Sequence, residues 1–281
     1  MVRYYRELTR LEMEAVDKEE TVVLIPIGAL EQHGNQCPLG TDEIISEAVA
    51  RRIRETLDRE IPDYPMLIFP PVPVGLSTEH VNFCGSITLK PDTFYHVLED
   101  ICRGLFRHGF KKIAMLNCHG GNTPIIQVLS RELRSELGLA VFMINCGVFF
   151  GNQAVKDTVT PGNVWDFHGG EMETSMILAE RPELVKMETA QAGIPRKFMG
   201  NRSLTVYGPI TLGWVSEEWE TEDGTPIGIG GDPRGATAEK GEQIYQSFVG
   251  SIVDGLKEIR RWKAQAGEVF SLRSLFILWE M

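Results

Sequence analysis

Runs of apolar residues alternate along the chain with segments in which apolar residues recur at helical spacing. Residues 21–30 (TVVLIPIGAL) form a continuous apolar run that predicts a buried strand, and the apolar positions over 42–57 predict a helix after a polar loop. The same alternation continues beyond this first unit. It predicts strands over 66–74, 112–117 and 141–146, and helices over 91–108, 123–137 and 237–261.

Continuous apolar strands that alternate with helices predict right-handed crossovers and an α/β fold, in which a mainly parallel sheet is sandwiched by helices. The sequence contains no internal repeat, low-complexity tract or Ser/Gly-rich linker, so residues 1–281 are predicted to form a single domain. Ligands of such sheets bind at the carboxyl ends of the strands. The polar residues that follow each strand are therefore the candidate functional residues.

The charge balance argues against one class of partner. The 281 residues include 39 acidic and 28 basic side chains, which gives a formal net charge of −11. Without a basic stripe, this charge argues against nucleic acid as a partner. The longest apolar runs, such as 141–150, are much shorter than the roughly 20 residues that a membrane-spanning helix needs, so no membrane partner is expected.

The cysteines and the N-terminal residues favour a cytoplasmic location. The five cysteines form no CxxC pair, which argues against a disulfide framework and a structural zinc site and fits reduced thiols. Residues 1–21 lack the basic and apolar regions of a secretory signal. The apolar stretch 269–279 is interpreted as a docking or subunit-interface segment, and the chain is expected to be a homo-oligomer.

Histidine and carboxylate side chains appear at three strand-to-loop junctions. They lie in ALEQHG after the first strand, in the nearby PLGTD, in NCHGGN after the strand over 112–117, and in HGGEMETS, which leads into a helix predicted to begin near Met176. Because these junctions meet at one edge of a parallel sheet, the side chains are expected to line one crevice. The candidates are Glu31, His33, Asp42, His119, His168 and Glu173.

A set of imidazoles and carboxylates suits Zn²⁺, Mn²⁺ or Fe²⁺ better than a soft metal ion. Three converging carboxylates, those of Glu31, Asp42 and Glu173, would repel one another unless cations compensate their charge. Two divalent ions bridged by one aspartate would do so and would lower the pKa of a bound water. The composition of the crevice therefore predicts two divalent metal ions per chain.

Each of these residues also has a plain structural explanation. A histidine near a strand end is commonly a hydrogen-bonded structural residue, and Asp42 could cap the helix that follows it. Glu79 and His80, which follow the strand over 66–74, could bind substrate at the same crevice or form a salt bridge within their loop. Both interpretations stay open at the level of the sequence.

At these motifs the chain resembles the creatininase (creatinine amidohydrolase) family over residues 22–241. The resemblance is carried, in this order, by IPIGALEQHGNQCPLGTD, GLSTEHVNFCGSITL, NCHGGN, HGGEMETS and GDPRGATAEKG. It implies a creatininase-like sandwiched α/β fold, a two-metal hydrolytic site and often a hexamer built as a trimer of dimers.

The resemblance also implies roles for individual residues. By position, Glu31, Asp42 and His119 would hold the first ion, and Asp42 would bridge to a second ion held by His33. His168 matches a histidine that in creatininase is thought to move protons to or from the scissile nitrogen.

The chain departs from creatininase itself at two places. The histidine of the third motif is followed there by a metal-binding glutamate, but this chain has Gly121, which has no ligand atom. Glu173 is nominated instead, as a ligand of the second ion and a catalytic carboxylate, with Glu171 as the alternative. Of the tryptophans that cover the substrate in creatininase, only Trp165 has a nearby counterpart and is expected to bind substrate, while 211–231 is interpreted as a surface loop or lid.

The chain is therefore predicted to be a divalent-metal-dependent hydrolase, in which a metal-activated hydroxide attacks the carbonyl of a small, cyclic amide or a formamide. Hydrolytic ring opening of a cyclic diketone such as a keto-inositol is an alternative, because the attacked group is again a carbonyl. A metal-stabilised binding protein without turnover is a third. The HGGN motif is similar to that of formamide deformylases, a peptidase of mycofactocin maturation and a hydrolase of keto-inositols.

Overall fold

A five-stranded parallel sheet forms the centre of the protein. The computed structural model describes residues 2–146, 153–206 and 209–262. The strands are β1 (Val2–Tyr4), β2 (Val22–Ile27), β3 (Met66–Ile68), β4 (Lys112–Asn117) and β5 (Ala140–Asn145). Their order in the sheet is β1-β3-β2-β4-β5, and every neighbouring pair is parallel. All residues of β2 and β4 are buried, as in strands covered on both faces.

Helices cover both faces of this sheet. Successive residues of β2 point to opposite faces. Val22 and Leu24 pack in one hydrophobic core with the helices over 41–60, 171–180 and 238–261, whereas Val23 and Ile25 pack in the other with the helices over 91–107 and 123–137. The predicted α/β sandwich with a mainly parallel sheet is thereby confirmed. The helices of the described residues are α1 (Arg10–Glu14), α2 (Thr41–Glu60), α3 (Pro91–Arg107), α4 (Thr123–Leu137), α5 (Gln153–Lys156), α6 (Glu171–Glu180) and α7 (Ala238–Arg261).

The strand predicted over 21–30 ends at Ile27, and two other predicted boundaries differ by more. The strand over 66–74 ends at Ile68, because Pro70 and Pro71 have no N–H to donate to the ladder; Val72 makes only an isolated bridge to Ile27. The helix predicted to begin near Met176 begins at Glu171. The difference matters because it places the candidate ligand of the HGGEMETS segment on a helix.

The segment 211–231 is not simply a surface excursion. Trp219 is fully buried and packs with Phe198 and Val206 in a small third hydrophobic cluster. Trp214 is partly buried against the same cluster. The apolar stretch 269–279 lies outside the described residues. None of the described helices combines the length and the apolar character needed to cross a bilayer.

Candidate metal centre

The loops at the carboxyl edge of the sheet bring six polar side chains into one buried cluster. Two follow β2, one lies in the first turn of α2, one follows β4, one precedes α6, and one lies in the first turn of α6. All six are more than nine-tenths buried. They are, in that order, Glu31 and His33, Asp42, His119, His168 and Glu173.

Asp42 stands at the centre of this cluster. Its Oδ1 lies 3.3 Å from His33 Nε2, and its Oδ2 lies 3.3 Å from His119 Nδ1. Two groups of potential ligands, each with donor atoms within 4.8 Å of one another, share this carboxylate: Glu31, Asp42 and His119 form one, and His33, Asp42 and Glu173 form the other. This arrangement suits two cations that share one carboxylate.

Several polar atoms of the cluster have no hydrogen-bond partner in the protein. Both carboxylate oxygens of Glu31, Nε2 of His33 and Oδ2 of Asp42 are buried without one. Such atoms are costly to bury unless a cation or a proton compensates them. Oxygen and imidazole nitrogen donors are what Zn²⁺ and Mn²⁺ accept, so the residues present fit divalent cations.

The carboxylates raise the pKa of two imidazoles. Burial lowers the pKa of His33, but Asp42 and Glu173 outweigh it and raise that pKa to about 10. Burial likewise opposes the effect of Glu31 and Asp42 on His119, whose pKa is nevertheless well above its ordinary value. Burial raises the pKa of Glu173 to about 7 against the opposing effect of His33. When no cation compensates the carboxylates, protons on the two imidazoles do so.

His168 presents an unprotonated nitrogen to the cluster. Its Nε2 lies 2.9 Å from the backbone carbonyl of Gln32, and because a carbonyl only accepts, Nε2 carries the hydrogen of the neutral ring. Nδ1 then faces Glu31 Oε1 at 3.6 Å. Burial holds the pKa of His168 well below its usual value, so the ring is neutral at ordinary pH and Nδ1 is available as a base.

Gly169 sets the approach of this histidine to the cluster. Its φ is +61°, a left-handed conformation that side chains other than glycine rarely adopt, and a Cβ there would lie 2.5 Å from the side chain of Ile229. Its N–H donates to Glu173 Oε2 at 2.6 Å, so the same turn orients both His168 and Glu173.

Glu79 lies where a side chain of residue 121 would have to go. A Cβ on Gly121 would be 2.4 Å from the Leu76 carbonyl, 2.5 Å from His119 Nε2 and 3.0 Å from Glu79 Oε1. His119 Nε2 donates to that same Leu76 carbonyl at 2.8 Å. The glycine thus lets the loop before Glu79 close against His119, and Glu79 is left partly exposed beside the cluster, with its pKa raised by burial.

The aromatic residues differ from the predicted arrangement. Trp165 packs against Trp219 with ring centroids 6.4 Å apart, and no ring contact joins it to the histidines of the cluster among the described residues. Trp214 instead lies with its ring 5.8 Å from that of His80, which stacks on His168 of the cluster. No sequence pattern favoured Trp214, because its position depends on how the 211–231 segment folds back.

Two residues that hold the cluster in place were not identified from the sequence. Gln32 contacts both His80 and His168, and its position between Glu31 and His33 was the available signal. Asp166 accepts hydrogen bonds from the first backbone N–H groups of α6, and an aspartate shortly before a helix is a capping signal.

The chain matches the model of the creatininase family, described as creatinine amidohydrolase, over residues 6–256. It is 32% identical over 251 residues to the mycofactocin precursor peptide peptidase of Mycobacterium tuberculosis (strain ATCC 25618 / H37Rv), covering 86% of each chain. It is 29% identical over 267 residues to the creatinine amidohydrolase of Pseudomonas putida, covering 90% of this chain and 95% of that protein. A 3-dehydro-scyllo-inosose hydrolase of Thermotoga maritima is 22% identical over 269 residues, covering 91% of this chain and 83% of that protein.

Solved creatininase structures share the fold. A manganese form superimposes with a TM-score of 0.72 at 28% identity, covering 91% of this chain and 97% of the other. A mutant described as the Zn-Zn type gives a TM-score of 0.71 at 27% identity, with the same coverage. All these relatives are hydrolases by name, which favours an enzyme over a binding protein without turnover.

Proposed function

The chain belongs to the creatininase family of hydrolases, and on that premise we propose that it hydrolyses the C–N bond of a small, cyclic amide or a formamide at a site for two divalent ions. The observation that carries the proposal is the pair of ligand groups that share Asp42 beside the unprotonated Nδ1 of His168. When bound, the divalent ions would supply an activated water and polarise a substrate carbonyl.

In this proposal the ligand residues divide between two ions. Glu31, Asp42 and His119 would hold the first, and His33, Asp42 and Glu173 the second. The Gly169 N–H donates to Glu173 Oε2 and so orients this carboxylate. Glu173 would thereby replace the metal-binding glutamate that creatininase has at the position of Gly121. The two ions would be Zn²⁺, Mn²⁺ or Fe²⁺, which carboxylate and imidazole ligands accept.

His168 moves the proton. Its Nδ1 accepts a proton from the attacking water and delivers it to the leaving nitrogen, while Nε2 keeps the ring oriented by donating to the Gln32 carbonyl. Glu173 is the second catalytic residue of this proposal, because its carboxylate, held by the Gly169 N–H, would lie beside the bound ions and could accept a proton from the attacking water.

The substrate approaches from the side of Glu79, the partly exposed carboxylate at the cluster. At that position the Glu79 carboxylate accepts a hydrogen bond from the substrate. Trp165 belongs to the aromatic cluster with Trp219 and would form part of the wall around the substrate, together with Trp214 beside His80.

Ring opening of a cyclic diketone is kept as a second candidate, because the Thermotoga maritima relative is named as a hydrolase of an inosose. The same residues would act on a carbonyl in both reactions, but the leaving group would be carbon rather than nitrogen.

A substrate screen with metal-loaded protein separates these reactions. Formamides, cyclic amides, short peptides and keto-inositols are incubated with the protein loaded with Zn²⁺ or Mn²⁺, and products are identified by mass spectrometry. Release of an amine or formate supports the proposal, and a ring-opened carboxylic acid without nitrogen release supports the alternative. Each incubation is repeated with Asp42→Ala beside the wild type. If no substrate gives a product that is lost in this variant, both candidate reactions are contradicted.

A further inference from the structure

The imidazole of His80 is enclosed within the candidate metal centre. The residue is 1% exposed. Its ring stacks on His168, with centroids 4.1 Å apart and an interplanar angle of 27°, and the ring of Trp214 meets it nearly edge-on. Because its ring is covered in this way, the two ring nitrogens are what His80 has left for polar contacts.

Gln32 decides which nitrogen carries the hydrogen. The orientation of the Gln32 amide is fixed, because Oε1 accepts from the Gly34 N–H at 2.9 Å and Nε2 donates to the Gly228 carbonyl at 2.6 Å. Gln32 Nε2 also lies 3.1 Å from His168 Nε2, but that nitrogen carries the hydrogen donated to the Gln32 carbonyl and cannot accept another. The second hydrogen of Gln32 Nε2 is therefore left for His80 Nδ1, 3.0 Å away. Since an amide nitrogen only donates, Nδ1 accepts, and the Ser216 hydroxyl contacts the same nitrogen. The hydrogen of the neutral His80 ring therefore sits on Nε2.

The carboxylate of Glu31 lies within reach of the hydrogen on Nε2, and the Nδ1 of His119 is 3.1 Å from Oε1 of the same carboxylate. Nε2 lies 3.5 Å from Glu31 Oε1, at the upper limit of hydrogen-bond distance, and 3.9 Å from Oε1 of Glu79. Glu31 Oε1 and Oε2 have no aligned hydrogen-bond partner, although they are fully buried. His80 itself is in none of the ligand groups found among the described residues.

We infer that His80 is a positioning residue that holds the Glu31 carboxylate through Nε2–H, rather than a residue that touches substrate. The inference rests on the proposed function, because it assigns His80 to the side chain that would hold the first ion. Partners that orient a metal ligand in this way contribute about 10- to 100-fold to metal affinity. In this inference Gln32 orients the His80 ring, and His80 orients the Glu31 carboxylate.

Two substitutions separate the hydrogen on Nε2 from simple packing. In His80→Gln the side-chain amide nitrogen reaches the place of Nε2 and can still donate to Glu31. In His80→Asn the shorter amide reaches only the place of Nδ1, so contacts with Gln32 are kept and the donor to Glu31 is lost. His96→Asn, at an exposed histidine on α3, is the matched control.

The dissociation constant for Zn²⁺ is measured on the full-length protein by competition with a chromophoric chelator. We expect His80→Asn to bind about 10- to 100-fold more weakly than the wild type, with His80→Gln within a few-fold of it and His96→Asn unchanged. Unchanged affinity in His80→Asn overturns the inference, and so does equal weakening in both variants, which indicates packing. A wild type that binds no Zn²⁺ overturns the proposed function as well, so the two failures are distinguishable.

The tautomeric state of the His80 ring can be measured in the wild type, so this test does not depend on whether His80→Asn folds. Long-range ¹H–¹⁵N spectra of the protein labelled with ¹⁵N-histidine identify the His80 ring by its loss in His80→Gln. A hydrogen on Nε2 is expected, and a neutral ring protonated at Nδ1 overturns the inference.

Discussion

His33 and Asp42, nine positions apart in the chain, meet with Nε2 of the imidazole 3.3 Å from Oδ1 of the carboxylate. The loop after β2 and the first turn of α2 bring them together, and both side chains are fully removed from solvent. In the absence of a cation this pair is an ion pair, and with cations bound it becomes part of the ligand set. Metal content, stability and pH are therefore linked at this point.

The metal-free protein should lose stability as pH rises through the alkaline range. The pKa of His33 in the folded protein is raised to about 10, above about 6.5 for an unfolded chain, so its stabilising contribution is complete below pH 6.5 and disappears as pH passes 10. Thermal unfolding of chelator-treated protein measured between pH 6 and 10.5 checks this. In His33→Gln the decline should be distinctly shallower; an equally steep decline would show that other groups cause it.

Substitution of Gly121 should weaken metal binding at the cluster. This holds even for glutamate, although creatininase has a metal-binding glutamate at the corresponding position. A Cβ would press on the Leu76 carbonyl and on His119 Nε2, so Gly121→Ala should lower the free energy of unfolding by about 1–3 kcal/mol and reduce bound metal. Gly121→Glu should not restore a ligand. Gly120→Ala is the control, because a Cβ at Gly120 meets nothing within 4 Å. Metal content and chemical denaturation are the measurements, and a fully loaded, stable Gly121→Ala protein contradicts the argument.

His168→Ala should separate chemistry from metal binding. Loss of the proton-transferring Nδ1 should reduce kcat on a substrate from the screen by about 10²- to 10⁴-fold. Metal content should stay near that of the wild type, because His168 is proposed to move protons and not to hold an ion. Full turnover in the variant would refute the proton role. A loss of metal would instead assign His168 to the ligand group that it forms with Glu31 and His33.

Asp166 should support the second ion through the helix that carries Glu173. Its carboxylate accepts the N–H groups of Glu171 and Met172 at the start of α6. Asp166→Ala should cost about 0.5–2 kcal/mol of stability and lower the affinity for one of the two ions. Asp17→Ala removes similar backbone hydrogen bonds from an exposed turn and should leave metal affinity unchanged. Calorimetric titration with Zn²⁺ compares the two variants, and equal metal affinities in them would contradict the prediction.

Patterned segments were predictable from the sequence, and positions that depend on distant contacts were not. The boundaries of β4 and α4 follow directly from the hydrophobic pattern, because β4 is fully buried and α4 packs one apolar face against the core. The end of β3 required weighing Pro70 and Pro71 against a run of apolar residues. The start of α6 depends on the side chain of Asp166, which lies outside the helix.

The candidate site shows the same division. Residues next to strand ends, such as Glu31 and His119, were predictable because a parallel sheet collects its loops at one edge. The enclosure of His80 was not, since it depends on Ser216 and Trp214 from a segment more than a hundred residues away. The gap left by Gly121 was visible in the sequence, but not that a neighbouring loop fills it.

Sharing of Asp42 by two metal ions determines how much metal the protein can hold, so metal content is the measurement to make first. Full-length protein and Asp42→Ala are purified in parallel and analysed by plasma mass spectrometry after reconstitution with Zn²⁺, Mn²⁺ or Fe²⁺, with circular dichroism to establish that the variant folds. We expect about two equivalents of metal per chain in the wild type and loss of most of both in the variant. A wild type that takes up no metal, or a variant that keeps both ions, would contradict the sharing of Asp42.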